Sequence, residues 1–166
     1  MVEIIPESNP DLNKNLFLKE LSKVADGINL KIVNISEPKE SKRNNDVYVY
    51  VDFLIIDEFK AKLFINDDGT VKDEMIDATG DIIAIPFTLN ECDETGNYPI
   101  SRSKNLFNIL NYAMKKAKMI PINNHSSLKA TFDEIKSALM NVTFKATANL
   151  VKSKDFNDYY RLEVME

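Results

Sequence analysis

The only histidine, His125, and the only cysteine, Cys92, carry the most obvious chemistry in the chain, and neither sits where chemistry could use it. His125 lies in the polar run Asn123-Asn124-His125-Ser126-Ser127. A catalytic triad needs a nucleophile, a base and an acid within hydrogen-bond reach of one another. Nothing in the sequence indicates such partners, so His125 reads as a surface residue. Cys92 precedes Asp93 and Glu94. Nearby anions disfavour the thiolate, which makes Cys92 a poor nucleophile. Zinc would have to be built from Cys92, His125 and carboxylates without metal-type spacing. Asp67-Asp68-Gly69 opens like a calcium loop, but the alternating oxygen ligands and closing glutamate are missing. It reads as a turn. Asp73, Glu74 and Asp77 could hold a metal only with ligands from elsewhere. With four glycines in all, no phosphate-cradling loop is available. No catalytic residue, metal or cofactor is expected, and a small carboxylate-based enzyme is the third-ranked reading.

A different chemistry emerges from strand parity. Side chains alternate between the faces of a strand, so parity assigns them. In the run 47–55, Val47, Val49, Val51, Phe53 and Ile55 share one face, and Tyr48, Tyr50 and Asp52 the other. In 59–65, Phe59, Ala61, Leu63 and Ile65 oppose Lys60, Lys62 and Phe64. In 142–150, Val142, Phe144, Ala146, Ala148 and Leu150 oppose Thr143, Lys145, Thr147 and Asn149. In the last run, Tyr160, Leu162 and Val164 face inward, and Tyr159 and Arg161 outward. The outward set is Tyr48, Tyr50, Lys60, Lys62, Phe64, Lys145, Tyr159 and Arg161. Rings stack on bases whatever the sequence, and cations follow phosphates, so this set suits single-stranded DNA or RNA. Outward tyrosines and lysines are also ordinary on strands, where Tyr fits the pleat and Lys protects edges. A helix could cover the tyrosines.

These positions need a scaffold. Asn9 can cap a helix with Pro10 in its first turn, carrying Leu12, Leu16, Phe17, Leu21 and Val24 and ending at Gly27. Strands are predicted at Ile28 to Ile35, Val47 to Ile56, Phe59 to Ile65, Asp81 to Leu89, Val142 to Lys152 and Asp158 to Met165. Asp57-Glu58 and Asn66 to Thr70 are turns. Pro86 removes a donor and marks its strand as an edge or a bulge. Glu37 to Asp46 is a solvated charged loop, and Asn90 to Pro99 and Ile122 to Ala130 are further loops. Ser103 can cap a second helix with Leu106, Leu110, Ala113 and Ala117 on one stripe. Lys115, Lys116 and Lys118 then complement its negative end. Thr131-Phe132-Asp133-Glu134 has the capping-box form and opens a third helix with Ile135, Ala138 and Leu139. Ser153 to Asn157 joins the last two strands.

The bulk properties fit one domain spanning 1–166. Its length is near the usual domain size, and 44% hydrophobic with 28% charged residues is ordinary for a globular chain. One cysteine excludes an internal disulfide. No signal peptide is legible at the start, and the longest apolar run, Val47 to Ile56, is interrupted by Asp52 and too short to span a bilayer. A cytoplasmic protein without membrane contact is expected. Residues 1–100 carry net −10 and residues 101–166 net +5. Such asymmetry suits a polyanion-binding surface, or two oppositely charged halves attracting each other.

Three stretches carry a family resemblance: Ser103-Lys104-Asn105-Leu106-Phe107-Asn108-Ile109-Leu110, then Leu139-Met140-Asn141-Val142-Thr143-Phe144-Lys145-Ala146, then Asp158-Tyr159-Tyr160-Arg161-Leu162-Glu163-Val164. Residues 101–164 resemble small phage and prophage proteins of the single-stranded-DNA-binding, OB-like type. Asn141 stands where that pattern has glycine. The resemblance implies an OB-like barrel and a use in phage-type replication or recombination. The expected fold is therefore α+β, a small, mainly antiparallel OB-like β-barrel with about three peripheral helices. The alternative function is a protein-interaction or structural accessory module whose acidic N-terminal half docks a basic partner.

Overall fold

The computed structural model describes residues 9, 12–36, 39–40, 47–89, 104–116, 142–152 and 158–165. The elements are helix α1 (Lys14–Leu21), strands β1 (Ile28–Ile35), β2 (Lys39–Glu40), β3 (Val47–Ile55), β4 (Lys60–Ala61), β5 (Ile76–Asp77) and β6 (Ile82–Leu89), helix α2 (Lys104–Lys116), and strands β7 (Phe144–Val151) and β8 (Tyr159–Val164). The class is α+β, and the pairings of β1 with β7, β2 with β3, β4 with β5 and β7 with β8 are all antiparallel. One sheet runs in the order β2-β3-β1-β7-β8, with β6 also on β3, while β4 and β5 form a separate pair. Two helices lie among the described residues. The helix expected from Thr131 lies outside them, as do Cys92, His125, Ser103 and the 153–157 connection.

The chain divides into two compact units. One comprises Met1–Leu30, Leu54–Ala84 and Phe144–Glu166, the other Lys31–Phe53 and Ile85–Thr143. Neither unit is continuous in sequence, and β1, β3 and β6 each pass from one to the other.

In the first unit, α1 packs on β7 and β8. Its buried residues are Phe17, Leu18 and Leu21. The small residues Ala146 and Ala148 are fully buried on β7 beside Phe144, as is Leu162 on β8. Small side chains let a helix approach a sheet closely while Phe144 fills volume. Phe17 meets Phe59 edge to face, with centroids 5.2 Å apart.

The helix differs from its expected form. Asn13, not Asn9, is the cap: its backbone is extended (φ −84°, ψ 119°) and its side chain accepts the Leu16 N–H at 3.0 Å. Asn9 is used elsewhere, donating its backbone N–H to the Ile82 carbonyl at 2.7 Å. The helix ends at Leu21 rather than Gly27, because Lys23 and Val24 bond back three residues, to Glu20 and Leu21, in tightened turns. Gly27 then adopts φ +64°, where a Cβ would lie 2.5 Å from the Ala146 carbonyl oxygen.

The strand expected at Phe59 to Ile65 is also corrected. Only Lys60–Ala61 is ladder-paired, with Asp77 and Ile76, and an isolated bridge joins Ile65 to Val71. The alternation holds at Phe59, Ala61 and Leu63, which are buried, but Ile65 is exposed. The Asn66 to Thr70 turn forms as expected. Gly69 takes φ +88°, its N–H bonds to the Asn66 carbonyl, and the Asp68 carboxylate accepts the Thr70 N–H at 3.0 Å.

In the second unit, Val49, Val51 and Phe53 are fully buried, as parity requires, and Phe53 packs against Phe87. The buried stripe of α2 is Leu106, Ile109, Leu110, Ala113 and Met114. Lys116 donates to the Thr143 carbonyl at 2.9 Å. Pro86 falls in β6, whose one pairing among the described residues is with β3, which suits a residue without an N–H.

Candidate nucleic-acid interface

The outward face of β7 and β8 holds three of the eight expected residues. Tyr159 is 49% exposed, and Lys145 and Arg161 are exposed. The ladder sets Val151 opposite Tyr159 and Asn149 opposite Arg161, with Lys145 opposite Asn29 of β1. Because α1 packs on these strands and Ala146, Ala148 and Leu162 are the buried positions, the helix lies on the inward face. Arg161 is engaged: Nη2 and Nε reach Glu163 Oε1 at 2.5 and 3.0 Å. Asn149 donates to the other Glu163 oxygen. These bonds, Arg161's first, hold the Glu163 carboxyl below the usual carboxylate range against a desolvation that raises it. Among the described residues no carboxylate pairs with Lys145. Leu150, expected on the inward face, is 47% exposed, because burial on β7 stops at Ala148.

Lys60, Lys62 and Phe64 sit in the same unit, on and just beyond the β4–β5 pair. Lys60 pairs with Glu58 at 3.1 Å and Lys62 with Asp73 at 2.5 Å. Each carboxylate raises its lysine's pKa. Phe64 is half-buried, with the Lys72 ammonium 6.0 Å from its ring centroid. Among the described residues no hydrogen bond, ion pair or ring contact joins this trio to Lys145, Tyr159 or Arg161. The acidic residues nearby have local duties: Asp73 pairs with Lys62, Glu74 with Lys72 at 3.6 Å, and Asp77 accepts the Thr79 N–H at 3.0 Å. No group of three metal-ligating side chains occurs among the described residues.

Tyr48 and Tyr50 belong to the second unit. They are half-buried and pack edge to face, with centroids 5.4 Å apart and planes at 87°. The Lys39 ammonium lies 5.7 Å from the Tyr50 ring centroid. The sequence places Lys39 in a solvated loop. The pairing of Lys39 with Tyr48 across β2 and β3 instead continues the hairpin into that loop, and no local sequence signal marks it. Asp52, on the same face as the tyrosines by parity, is half-buried. Desolvation raises its pKa, while a hydrogen bond with Asn34 opposes the rise.

The arrangement offers stacking surface and cations, with most of the cations neutralised by exposed carboxylates. No helix of the described residues is long and apolar enough to cross a membrane. No protein-family model matches the chain, and neither a curated protein nor a solved structure shows significant similarity to it.

Proposed function

We propose that this chain binds single-stranded nucleic acid with little regard to sequence, through the outward face of β7 and β8. The observation that carries the reading is Tyr159, a 49% exposed ring whose outward neighbour along the strand is Arg161. A base stacked on such a ring gains about 1–3 kcal/mol. The exposed Arg161–Glu163 pair contributes only about 0–1 kcal/mol. Exchange of that carboxylate for a phosphate therefore costs less than stacking supplies. Lys145, six residues along β7 from Val151, the residue paired with Tyr159, would hold the backbone at the other end of the ladder. The Lys60, Lys62 and Phe64 patch, and the Tyr48–Tyr50 pair with Lys39, are further stacking and phosphate elements of the same proposal. So are an OB-like closure of the sheet, a cytoplasmic setting and a phage-type replication or recombination role, which rest on the mainly antiparallel pairing and on the resemblance of residues 101–164. Each phosphate that is neutralised releases counterions, so affinity should fall as salt rises.

The test is fluorescence anisotropy of labelled single-stranded oligonucleotides of two unrelated sequences at two salt concentrations. Similar affinities for both, falling with salt, support the reading. No binding at low salt ends it.

A second reading, docking of a basic partner protein, has its own observation. Ile65, Val71 and Met75 are 44%, 46% and 61% exposed on a segment that also carries Asp67, Asp68, Asp73 and Glu74. Apolar residues rimmed by charge mark interaction surfaces. Replacing Val71 and Met75 with Ser tests it, because a partner's affinity should drop while oligonucleotide binding stays unchanged.

A further inference from the structure

We propose that Asn149 and Arg161 together form a phosphodiester subsite, and that Glu163 is its built-in competitor, holding the place of a phosphate until single-stranded nucleic acid displaces it. The inference rests on the nucleic-acid reading and names the regulation of that same face. Asn149 of β7 and Arg161 of β8 are ladder partners, and both are exposed. Alternation puts Tyr159, Arg161 and Glu163 in one outward row on β8, facing Val151, Asn149 and Thr147 on β7. The two strands thereby bring a neutral amide and a guanidinium to one spot, which the Glu163 carboxylate occupies. Arg161 donates from Nη2 and Nε to Oε1, at 2.5 and 3.0 Å, and Asn149 donates from Nδ2 to Oε2. Each carboxylate oxygen thus has its own donor residue.

A phosphodiester presents the same pattern of acceptors. It carries one negative charge over two unesterified oxygens, as a carboxylate does, and a guanidinium bonds either anion through charge-assisted donors. Asn149 adds a donor without adding charge, so one anion satisfies the pair. The Tyr159 ring stands two residues from Arg161, about 7 Å along the strand. A base stacked there brings its own backbone phosphate beside the guanidinium, a tether that a free phosphate ion lacks. Glu163 is half-buried, and its hydrogen bonds, Arg161's first, lower its pKa against desolvation, so it is charged at neutral pH. Held in this way, Arg161 contributes no net charge to the face. Displacing an exposed ion pair costs little, so the competitor weakens binding without abolishing it. It also changes the salt dependence, whose log–log slope is about 0.7 for each phosphate neutralised on a single strand. A phosphate that takes Arg161 from Glu163 leaves a bare carboxylate beside it, and the local charges of the two side chains still cancel. Removing the carboxylate charge makes Arg161 a full contributor.

The test is an anisotropy titration of labelled oligothymidine with the full chain and its variants, each checked for folding by circular dichroism. Glu163→Gln keeps the shape of the side chain and removes its charge. It should bind about five-fold tighter than wild type at low salt. Its log–log salt slope should be steeper by about 0.7. Asp26→Asn removes one exposed charge from the connection between α1 and β1 and should change neither quantity appreciably, which separates the competitor from net charge. The gain should vanish in R161A/E163Q, because Glu163 acts through Arg161. N149A/E163Q should bind about five-fold more weakly than E163Q, through one lost hydrogen bond. Inorganic phosphate, matched in phosphate concentration, should leave the oligonucleotide bound to E163Q, and full displacement would assign the subsite to free phosphate and overturn the inference. Wild type that binds while E163Q binds no tighter overturns it too and leaves the nucleic-acid reading standing. So does a gain that D26N matches or that survives R161A. Binding by neither wild type nor E163Q at low salt ends both.

Discussion

The Asp57 carboxylate holds the start of β1 in place by accepting two donors from Asn29, the backbone N–H at 2.8 Å and the side-chain Nδ2 at 3.1 Å. The Ile56 N–H donates in turn to the Asn29 carbonyl at 3.1 Å. A residue that the sequence assigns to a tight turn is thus a cross-chain anchor joining the end of β3 to the start of β1.

Replacing Asp57 with Ala should destabilise the protein by about 1–3 kcal/mol, because it strands a half-buried backbone donor. Asp57→Asn, which keeps one acceptor oxygen, should lose less. Urea unfolding of both variants checks the order, and equal losses would contradict it.

Phe144 is 1% exposed, in the unit that holds α1. Phe144→Ala should cost about 3–5 kcal/mol through reduced burial and the cavity left behind. Chemical denaturation measures this directly. A loss below about 1 kcal/mol would show that the β7 face is not packed as described.

Gly27→Ala should destabilise by more than the ordinary glycine-to-alanine change would stabilise, about 0.4–1 kcal/mol. Its positive φ strains any side chain, and the added carbon would meet the backbone carbonyl of Ala146, which cannot swing aside. Thermal unfolding should show a lowered midpoint.

Asp52 has a folded pKa raised by desolvation, with Asn34 opposing. A carboxyl whose folded pKa exceeds its unfolded value favours folding most when protonated. That contribution is complete below the unfolded pKa and is lost as pH rises through the folded one. Asp52→Asn should therefore raise the thermal midpoint at neutral pH. The gain should shrink toward zero as pH falls below the carboxylate range. An advantage independent of pH would exclude a titration effect.

For the proposed binding face, Tyr159→Ala should weaken oligonucleotide binding by about 1–3 kcal/mol for every sequence. Lys145→Ala should instead flatten the log–log salt dependence by about 0.7, the slope that one neutralised phosphate supplies on a single strand. Titration of both variants across a salt series distinguishes stacking from charge. Unchanged affinity and slope in both would remove β7 and β8 from the site.

What the sequence by itself determined is the set of positions that face a core. Period-two alternation is a property of the extended backbone alone, so Val49, Val51, Phe53, Leu63, Phe144 and Leu162 could be named as buried, and all are 0–1% exposed. The Asn66 to Thr70 turn was legible for a similar reason, since Gly69 and the Asp68 carboxylate satisfy it locally. Tertiary structure decided whatever depends on a partner distant in the chain. The sequence points to Asn9 as the cap, but Asn9 bonds to Ile82 and the helix is capped by Asn13. Lys62 looks like a free cation until folding brings Asp73 to it. Lys39 looks like loop until β2 sets it beside the tyrosines. Local chemistry is written residue by residue, whereas charge pairing and strand edges exist only once separated segments are held at hydrogen-bond distance.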